Sequence, residues 1–401
     1  MSKPQRFLTR PIVTLLAIQL VTGVLVSPQY TFFPIYLQEL GFSAVALSLI
    51  VALQRLTALF TSIGGGALAD GMGAKRVLIV SQLAYFAGTV VFSLSGAWQI
   101  SLFWAVSGIG LGLNSMSSQS YLLEKASPAR LGLMTALLYL GYTIGAAIGN
   151  PLVGALLQRA GYARLAPVAV VPAAATLVFT GLALPRSAVA AASVGGWKAR
   201  LVADVKGYRT VAARPGLTLL GILRFLPTFS YGMLLVFVPL QLKGAGATKE
   251  LVALYATVNS ICASLAQLLV GRIADKAGWR APLAVVFATF TVSAILVGVL
   301  PGNLWVVFVA AVIAMSAAWS LSTLGPMLVS DAVAQGERGR ALGFIQLFWC
   351  VAMIAGGLIG GSLYELWIGL PMTVGGVVTG SALLLLPTLS RRLRARRAEA
   401  R

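Results

Sequence analysis

Arg55 and Arg224 are the two basic residues of the chain that fall inside long apolar stretches. A guanidinium within hydrocarbon costs at least ~2.5–3.5 kcal/mol unless it faces protein or water. Arg55 precedes Asp70 by 15 residues, about 22 Å along a helix axis at ~1.5 Å per residue, too deep to snorkel comfortably to that end. Arg224 lies some seven residues into its stretch, so its stem can reach the nearer interface. One reading places Arg55 in a central cavity, holding a polar or anionic group of a bound solute. The other makes it structural, bonded to carbonyls or glutamines, or snorkelling outward. The same alternatives hold for Arg224.

Neutral polar residues add to this chemistry at helical spacing. Gln19, Thr22 and Tyr30 share a stripe with Gln29 at its edge, as do Asn114, Ser118 and Tyr121. Two further stripes join Arg224, Thr228 and Tyr231, and Ser316, Ser320 and Thr323, with Trp319, Gln346 and Trp349 offering stacking surface. Hydrogen bonds between helices explain any single Ser or Thr equally well. Taken together, aromatics, amides and few charges suit an amphipathic organic solute better than an inorganic ion.

Other chemistries lack their residues. The chain has no His, which removes histidine relays, zinc motifs and triads. No lysine is followed by Ser or Thr, so no phosphate-binding Walker loop is present. Cys262 and Cys350 lie in apolar runs and read as packing residues. Glu39, Glu250 and Glu365 mark one end of the apolar stretches, and Asp70, Glu124, Asp204, Asp275, Asp331, Glu337 and Glu399 mark the other, with none near the middle. Nothing here requires a metal or cofactor, and nothing assembles an enzyme.

The elements that position these residues are transmembrane helices. Hydrophobic residues make up 58% of the chain and charged ones 10%, with mean hydropathy +0.90, a surface fit for lipid and not for water. Windows long enough to cross a bilayer fall at 12–37, 44–68, 77–95, 99–122, 131–157, 165–184, 217–242, 250–271, 281–300, 303–329, 341–364 and 368–389. The first is too long for a signal peptide and is expected to stay as a helix. If the N-terminus is cytoplasmic, 24 Lys/Arg lie in inner segments and 4 (Arg159, Arg164, Lys243, Lys249) in outer loops. That is the positive-inside pattern, so the +20 net charge is an orientation signal and not a nucleic-acid footprint. The expected organisation is a six-helix bundle over 1–185, a cytoplasmic linker at 186–216, a second bundle over 217–390 and a basic tail at 391–401. Trp197, Leu201, Val205, Tyr208 and Ala212 share a stripe, which fits a helix on the inner membrane surface or a plain solvated linker.

The two bundles repeat each other. Gly66-x-x-x-Asp70-x-x-Gly73-x-Lys75-Arg76, read as a water-facing hairpin loop, returns 205 residues later as Gly271-x-x-x-Asp275-x-x-Gly278-x-Arg280. Pro34 and Pro239 share that offset, while Glu124 and Arg130 match Asp331 and Arg338. The glycines 141, 145, 149 and 154 mirror those at 356, 357, 360 and 361. Small residues at matching positions let helices approach and slide in a repeat-built carrier.

With these motifs the chain resembles the major facilitator superfamily over nearly its whole length, most closely its drug:proton antiporter branch. A third motif, Gly141-x-x-x-Gly145-x-x-x-Gly149-Asn150-Pro151-x-x-Gly154, resembles the antiporter motif of the fifth helix, with Asn150 splitting the usual Gly-Pro pair. Trp104 stands where efflux members often carry Arg. The resemblance implies an all-α membrane protein, twelve helices in two pseudo-symmetric six-helix bundles, with helices 1, 4, 7 and 10 lining a cavity. It further implies a monomeric, alternating-access carrier in the plasma (inner) membrane, both termini cytoplasmic, exporting an organic or drug-like solute in exchange for protons. Uptake of a sugar or organic anion, or a non-transporting receptor on the same fold, stays open. Gating would fall to Gly66, Asp70, Gly73, Arg76 and Glu124 in one half and Asp275, Gly278, Arg280 and Asp331 in the other. Gly141, Gly145, Gly149, Pro151 and Gly154 would serve helix packing.

Overall fold

The computed structural model describes residues 9–125, 131–186, 216–332 and 338–399. The expected interfacial helix of the linker therefore lies outside the described residues. Twelve long α-helices run in chain order: α1 Arg10–Glu39, α2 Ala44–Met72, α3 Ala74–Val90, α4 Ala97–Lys125, α5 Leu131–Ala160, α6 Leu165–Ala183, α7 Leu217–Gly244, α8 Lys249–Ala277, α9 Arg280–Val299, α10 Leu304–Ala332, α11 Arg338–Leu366 and α12 Leu370–Glu399. Each supplies a segment long and apolar enough to cross a membrane, α3 together with the short 3-10 turn Val91–Ser93. α12 continues through the basic segment of the tail to Glu399.

One expectation is corrected. The Gly66–Arg76 motif is not a loop: α2 runs through it to Met72, and α3 begins at Ala74. The turn is Gly73 alone, at φ 86°. Its counterpart is similar, with α8 helical to Ala277, Gly278 at φ 79°, and α9 beginning after Trp279 at Arg280. Positive φ excludes most side chains but suits glycine, so one residue suffices to stop a helix and turn the chain. Gly278 closes α8 by donating its N–H to the Ala274 carbonyl at 2.9 Å.

The helices form two compact units. The first holds residues up to Gln29 together with Leu56–Leu201, and the second holds Tyr30–Arg55 with Val202–Arg401. Thus the last third of α1, the following turn and the first part of α2, to Arg55, pack with the second unit. In the first unit, α3 lies between α4 and α6, and Ile12, Leu15 and Ile18 of α1 join Val77, Leu78, Leu113, Tyr121 and Leu138 in one core. In the second unit α7 is the central helix, packed on α11, α12 and α10. Its Phe237 stacks on Tyr364 with centroids 4.9 Å apart.

The same close approach occurs in both units. A methyl group at Gly149 of α5 would collide with the Val24 carbonyl of α1, and one at Gly356 of α11 would collide with the Phe229 carbonyl of α7. Val24 and Phe229 are 205 residues apart, Gly149 and Gly356 207. Gly141 and Gly145 continue the first contact along α1, against the carbonyls of Leu16 and Leu20. Asn150, the residue splitting the Gly-Pro pair, is fully buried and donates to Ser27 of α1 at 3.2 Å. Gly154 is also buried, while Pro151 is exposed within α5.

Candidate functional site

The polar stripe residues of the first unit are occupied with one another. Gln19 donates to Ser118 at 2.7 Å and to Asn114 at 3.2 Å. Gln82 of α3 donates to Thr22 at 3.1 Å and to Asn114 at 3.4 Å. All five side chains are buried, so α1, α3 and α4 are joined by a network whose donors and acceptors meet inside it. Gln29, also buried, donates to Thr89 of α3 at 2.8 Å. Tyr121 is fully buried and its hydroxyl donates to the Pro185 carbonyl at 3.1 Å. Trp104 fills the core of this unit at 1% exposure.

The second unit presents its stripe residues differently. Tyr30, Arg55, Arg224, Tyr231 and Trp349 are half-buried, and Trp319 and Gln346 are exposed. Thr228 and Ser320 are buried and bond back to their own helices, at Arg224 O and Ser316 O. Arg55 places its guanidinium over the Tyr30 ring, 4.9 Å from the centroid. It also lines a small recess, with room for about one water molecule, walled by Gly232 of α7 and by Met353 and Gly357 of α11. Trp319 stands edge-on to Tyr231, centroids 6.2 Å apart. Arg224 lies two turns before Tyr231 on α7, and Arg55 lines the recess at Gly232, the next residue.

Neither arginine is closed off by protein, since both stay half-buried. Arg224 has a neutral partner, donating to Ser322 at 3.2 Å. Among the described residues neither pairs with a carboxylate. The surface around Tyr231 is thus cationic, aromatic and accessible.

Two polar residues of the second unit escaped the sequence reading. Tyr255 and Asn259 of α8 each bury a side-chain oxygen that has no hydrogen-bond partner, and so does Ser316 of α10. A pair of polar residues four apart in an apolar run was the available signal, one too short to register as a stripe. No group of three potential metal ligands occurs among the described residues.

The charges expected to gate are only partly described. The Asp70, Asp331 and Gly66 positions lie in helices, their side chains outside the described residues. Arg76, Asp275 and Arg280 are exposed, Arg280 lying over Trp279. Glu124 is exposed and ion-paired with Lys125. At the end of the second unit that carries the 40–43 turn, the structure shows a clasp that sequence did not suggest. Glu39 of α1 pairs with Lys243 at 3.1 Å and Lys249 at 3.4 Å, and Glu365 of α11 accepts the Val45 N–H of α2 at 3.0 Å.

Comparison with known proteins follows the same lines. The sequence model described as Major Facilitator Superfamily matches residues 15–242 and 220–401. The human protein "solute carrier family 2, facilitated glucose transporter member 10" is 33% identical over 109 residues, which is 27% of this chain and 20% of that protein. Multidrug resistance protein MdtH of Yersinia enterocolitica is 30% identical over 124 residues, 31% of each chain. These alignments therefore span less than a third of the relatives' length. Among solved structures, the D-xylose-proton symporter superposes with TM-score 0.72 at 16% identity, covering 94% of this chain and 96% of that one. A mutant of the nucleoside transporter NupG superposes with TM-score 0.76 at 15% identity, covering 95% and 99%.

Proposed function

Because the chain belongs to the Major Facilitator Superfamily, we propose that it is a secondary transporter which works by alternating access and exports a small organic or drug-like solute. One observation carries the reading: the accessible cationic and aromatic surface around Tyr231 in the second unit, set against the closed polar network of the first. Solute binds on the second unit, by Arg55, Tyr231 and Trp319 with Tyr30 behind the guanidinium. The first unit supplies the rigid body against which the second works. Export is supported by the similarity to a multidrug resistance protein over 31% of the chain. No phosphate-binding motif is present, so the energy comes from an ion gradient, with proton exchange drawing on a carboxylate at a helix end. The clasp at Glu39 and Glu365 marks the outer face, and Asp70, Arg76, Glu124, Asp275, Arg280 and Asp331 form the gate at the inner face. The protein is placed as a monomer in the inner membrane with both termini cytoplasmic.

Expression in cells stripped of their own efflux pumps tests direction. Raised tolerance to a panel of amphipathic compounds, with substrate-dependent proton movement in inverted vesicles, is expected. A second reading, uptake of a sugar or organic anion, takes support from the facilitated glucose transporter relative. Accumulation of labelled glucose or an organic acid without any gain in tolerance decides for it.

A further inference from the structure

Lys75 of the Gly66–Arg76 motif has no part in the gate proposed above, and its side chain reaches another helix. It lies half-buried in the first turn of α3, and its ammonium donates to the Gly181 carbonyl in the last turn of α6 at 2.6 Å. The sequence explains why that carbonyl needs a donor. In a continuing helix the Gly181 oxygen would accept from the residue four further on, but that residue is Pro185, which has no N–H. A proline also disfavours helical backbone in the residue before it, and Leu184 accordingly ends α6 at ψ 119°. Lys75 supplies the missing donor, and its charge suits the negative end of the α6 dipole. Two further contacts hold the same corner. The Leu184 side chain, 1% exposed, joins Ala74, Val77 and Leu78 of α3 and Tyr121 of α4 in the core. The Pro185 carbonyl accepts from the Tyr121 hydroxyl at 3.1 Å, and the Lys125 ammonium stands 5.8 Å from the centroid of that ring. From Gly181 to Pro185 the chain is therefore fixed to the start of α3 and the end of α4, just before it leaves for α7.

The matching place in the second unit is built differently. The residues 205 positions after Gly181 and Pro185 are Leu386 and Ser390, both inside α12, which runs on to Glu399. Arg280, the counterpart of Lys75, is exposed and lies over Trp279, 5.6 Å from its ring centroid. The bond from the third helix to the end of the sixth thus belongs to the unit whose sixth helix leads into the connection to α7. We infer that Lys75 is a positioning residue, which holds the start of that connection on α3 so that α3, α4 and α6 move as one body when the end carrying Gly73 opens. The Gly66–Arg76 motif then has two jobs, with Asp70 and Arg76 at the gate and Lys75 at the connection. The tether stands on these contacts alone, and its part in transport rests on the carrier reading above.

Hydrogen exchange on the full chain in lipid nanodiscs tests the tether without any solute. Lys75→Met should speed exchange of the Phe179–Leu184 amides about tenfold, as losing one charge-assisted hydrogen bond allows, and leave α1 and α5 as they were. Lys75→Arg, which keeps a donor of similar reach, should restore most of the protection. Arg76→Met, which removes an exposed charge from the same turn of α3, should leave those amides unchanged. Unchanged exchange at Phe179–Leu184 in Lys75→Met, or a rise spread evenly over α1 and α5, overturns the inference. Should Lys75→Met fail to fold, Tyr121→Phe decides: it releases the Pro185 carbonyl and should loosen the same amides, and no change there overturns the tether. Transport is then compared in proteoliposomes holding equal amounts of monodisperse protein, for each compound to which expression gives tolerance. Lys75→Met should lower the maximal rate several-fold at unchanged half-saturation, and Lys75→Arg should keep it. A full rate in Lys75→Met with the end of α6 loosened overturns the positioning role. A tether confirmed by exchange in a protein that moves no compound keeps the tether and loses the carrier reading.

Discussion

Gln19 and Ser316 are both polar side chains on membrane helices and both nearly closed to solvent, at 4% and 8% exposure. Gln19 is bonded to Asn114 and Ser118, whereas the Ser316 hydroxyl is unpaired. Removing Gln19 orphans groups on α4, so Gln19→Leu should cost ~1–3 kcal/mol. Removing the Ser316 hydroxyl removes an existing penalty. Ser316→Ala should leave stability unchanged or raise it by up to ~1 kcal/mol. Melting temperatures of the two variants, measured without ligand in one detergent, check both signs; a loss in Ser316→Ala as large as in Gln19→Leu would mean the hydroxyl has a partner after all. Sequence periodicity found both stripes because a 3.6-residue repeat is local. It did not distinguish them, since the partner that closes the first network, Gln82, stands alone in the sequence of α3.

Between elements, glycine decides how close two backbones come. At Gly149 and Gly356 the obstacle to a side chain is a carbonyl of the neighbouring helix, which cannot rotate away as a side-chain tip can. Gly149→Ala and Gly356→Ala should each cost ~1–3 kcal/mol, as overpacking does, and Gly357→Ala, where nothing lies nearby, should not. Chemical denaturation monitored by helix content separates them. This glycine pattern was legible in the sequence because it is repeated, but the Gly73 turn was misread as a longer loop. Its polar residues suggested a water-facing hairpin tip, yet helices of a membrane protein extend past the bilayer, and polar residues can be their last turn. The Glu39 clasp was hidden because its lysines lie more than 200 residues away in sequence. Its two ion pairs are about one-third exposed, so together they contribute ~1 kcal/mol at most in low salt. Glu39→Gln should therefore shift any equilibrium between clasped and open ends by about fivefold. Spin labels at Phe42 and Ala247, in a background lacking Cys262 and Cys350, should report a longer, broader distance distribution, and high salt should reproduce it in the unmodified protein. An unchanged distribution would assign the clasp no part in opening.

Across the whole molecule, the twelve helices and their duplication were readable because both are written in long-range regularities, apolar length and a constant offset of about 205 residues. The inequality of the halves was not, since the polar stripes have similar composition in each and differ in what their neighbours offer. Orientation depends on charges spread over the entire chain, and there the sequence makes a strong demand: 24 Lys/Arg on one side against 4 on the other. Each such residue near a helix end resists crossing the bilayer, and the bias is too large for a single loop to reverse. Cysteines placed singly at Phe42 or Ala247 should accordingly react with a membrane-impermeant maleimide in intact cells. Those at Met72 or Ala277, both exposed beside the Gly73 and Gly278 turns, should react only after the membrane is opened. Replacing the six basic residues of 391–401 should leave that pattern intact, because 18 of the 24 would remain. Labelling of Met72→Cys in intact cells would reverse the orientation, and with it the direction in which the clasp at Glu39 faces.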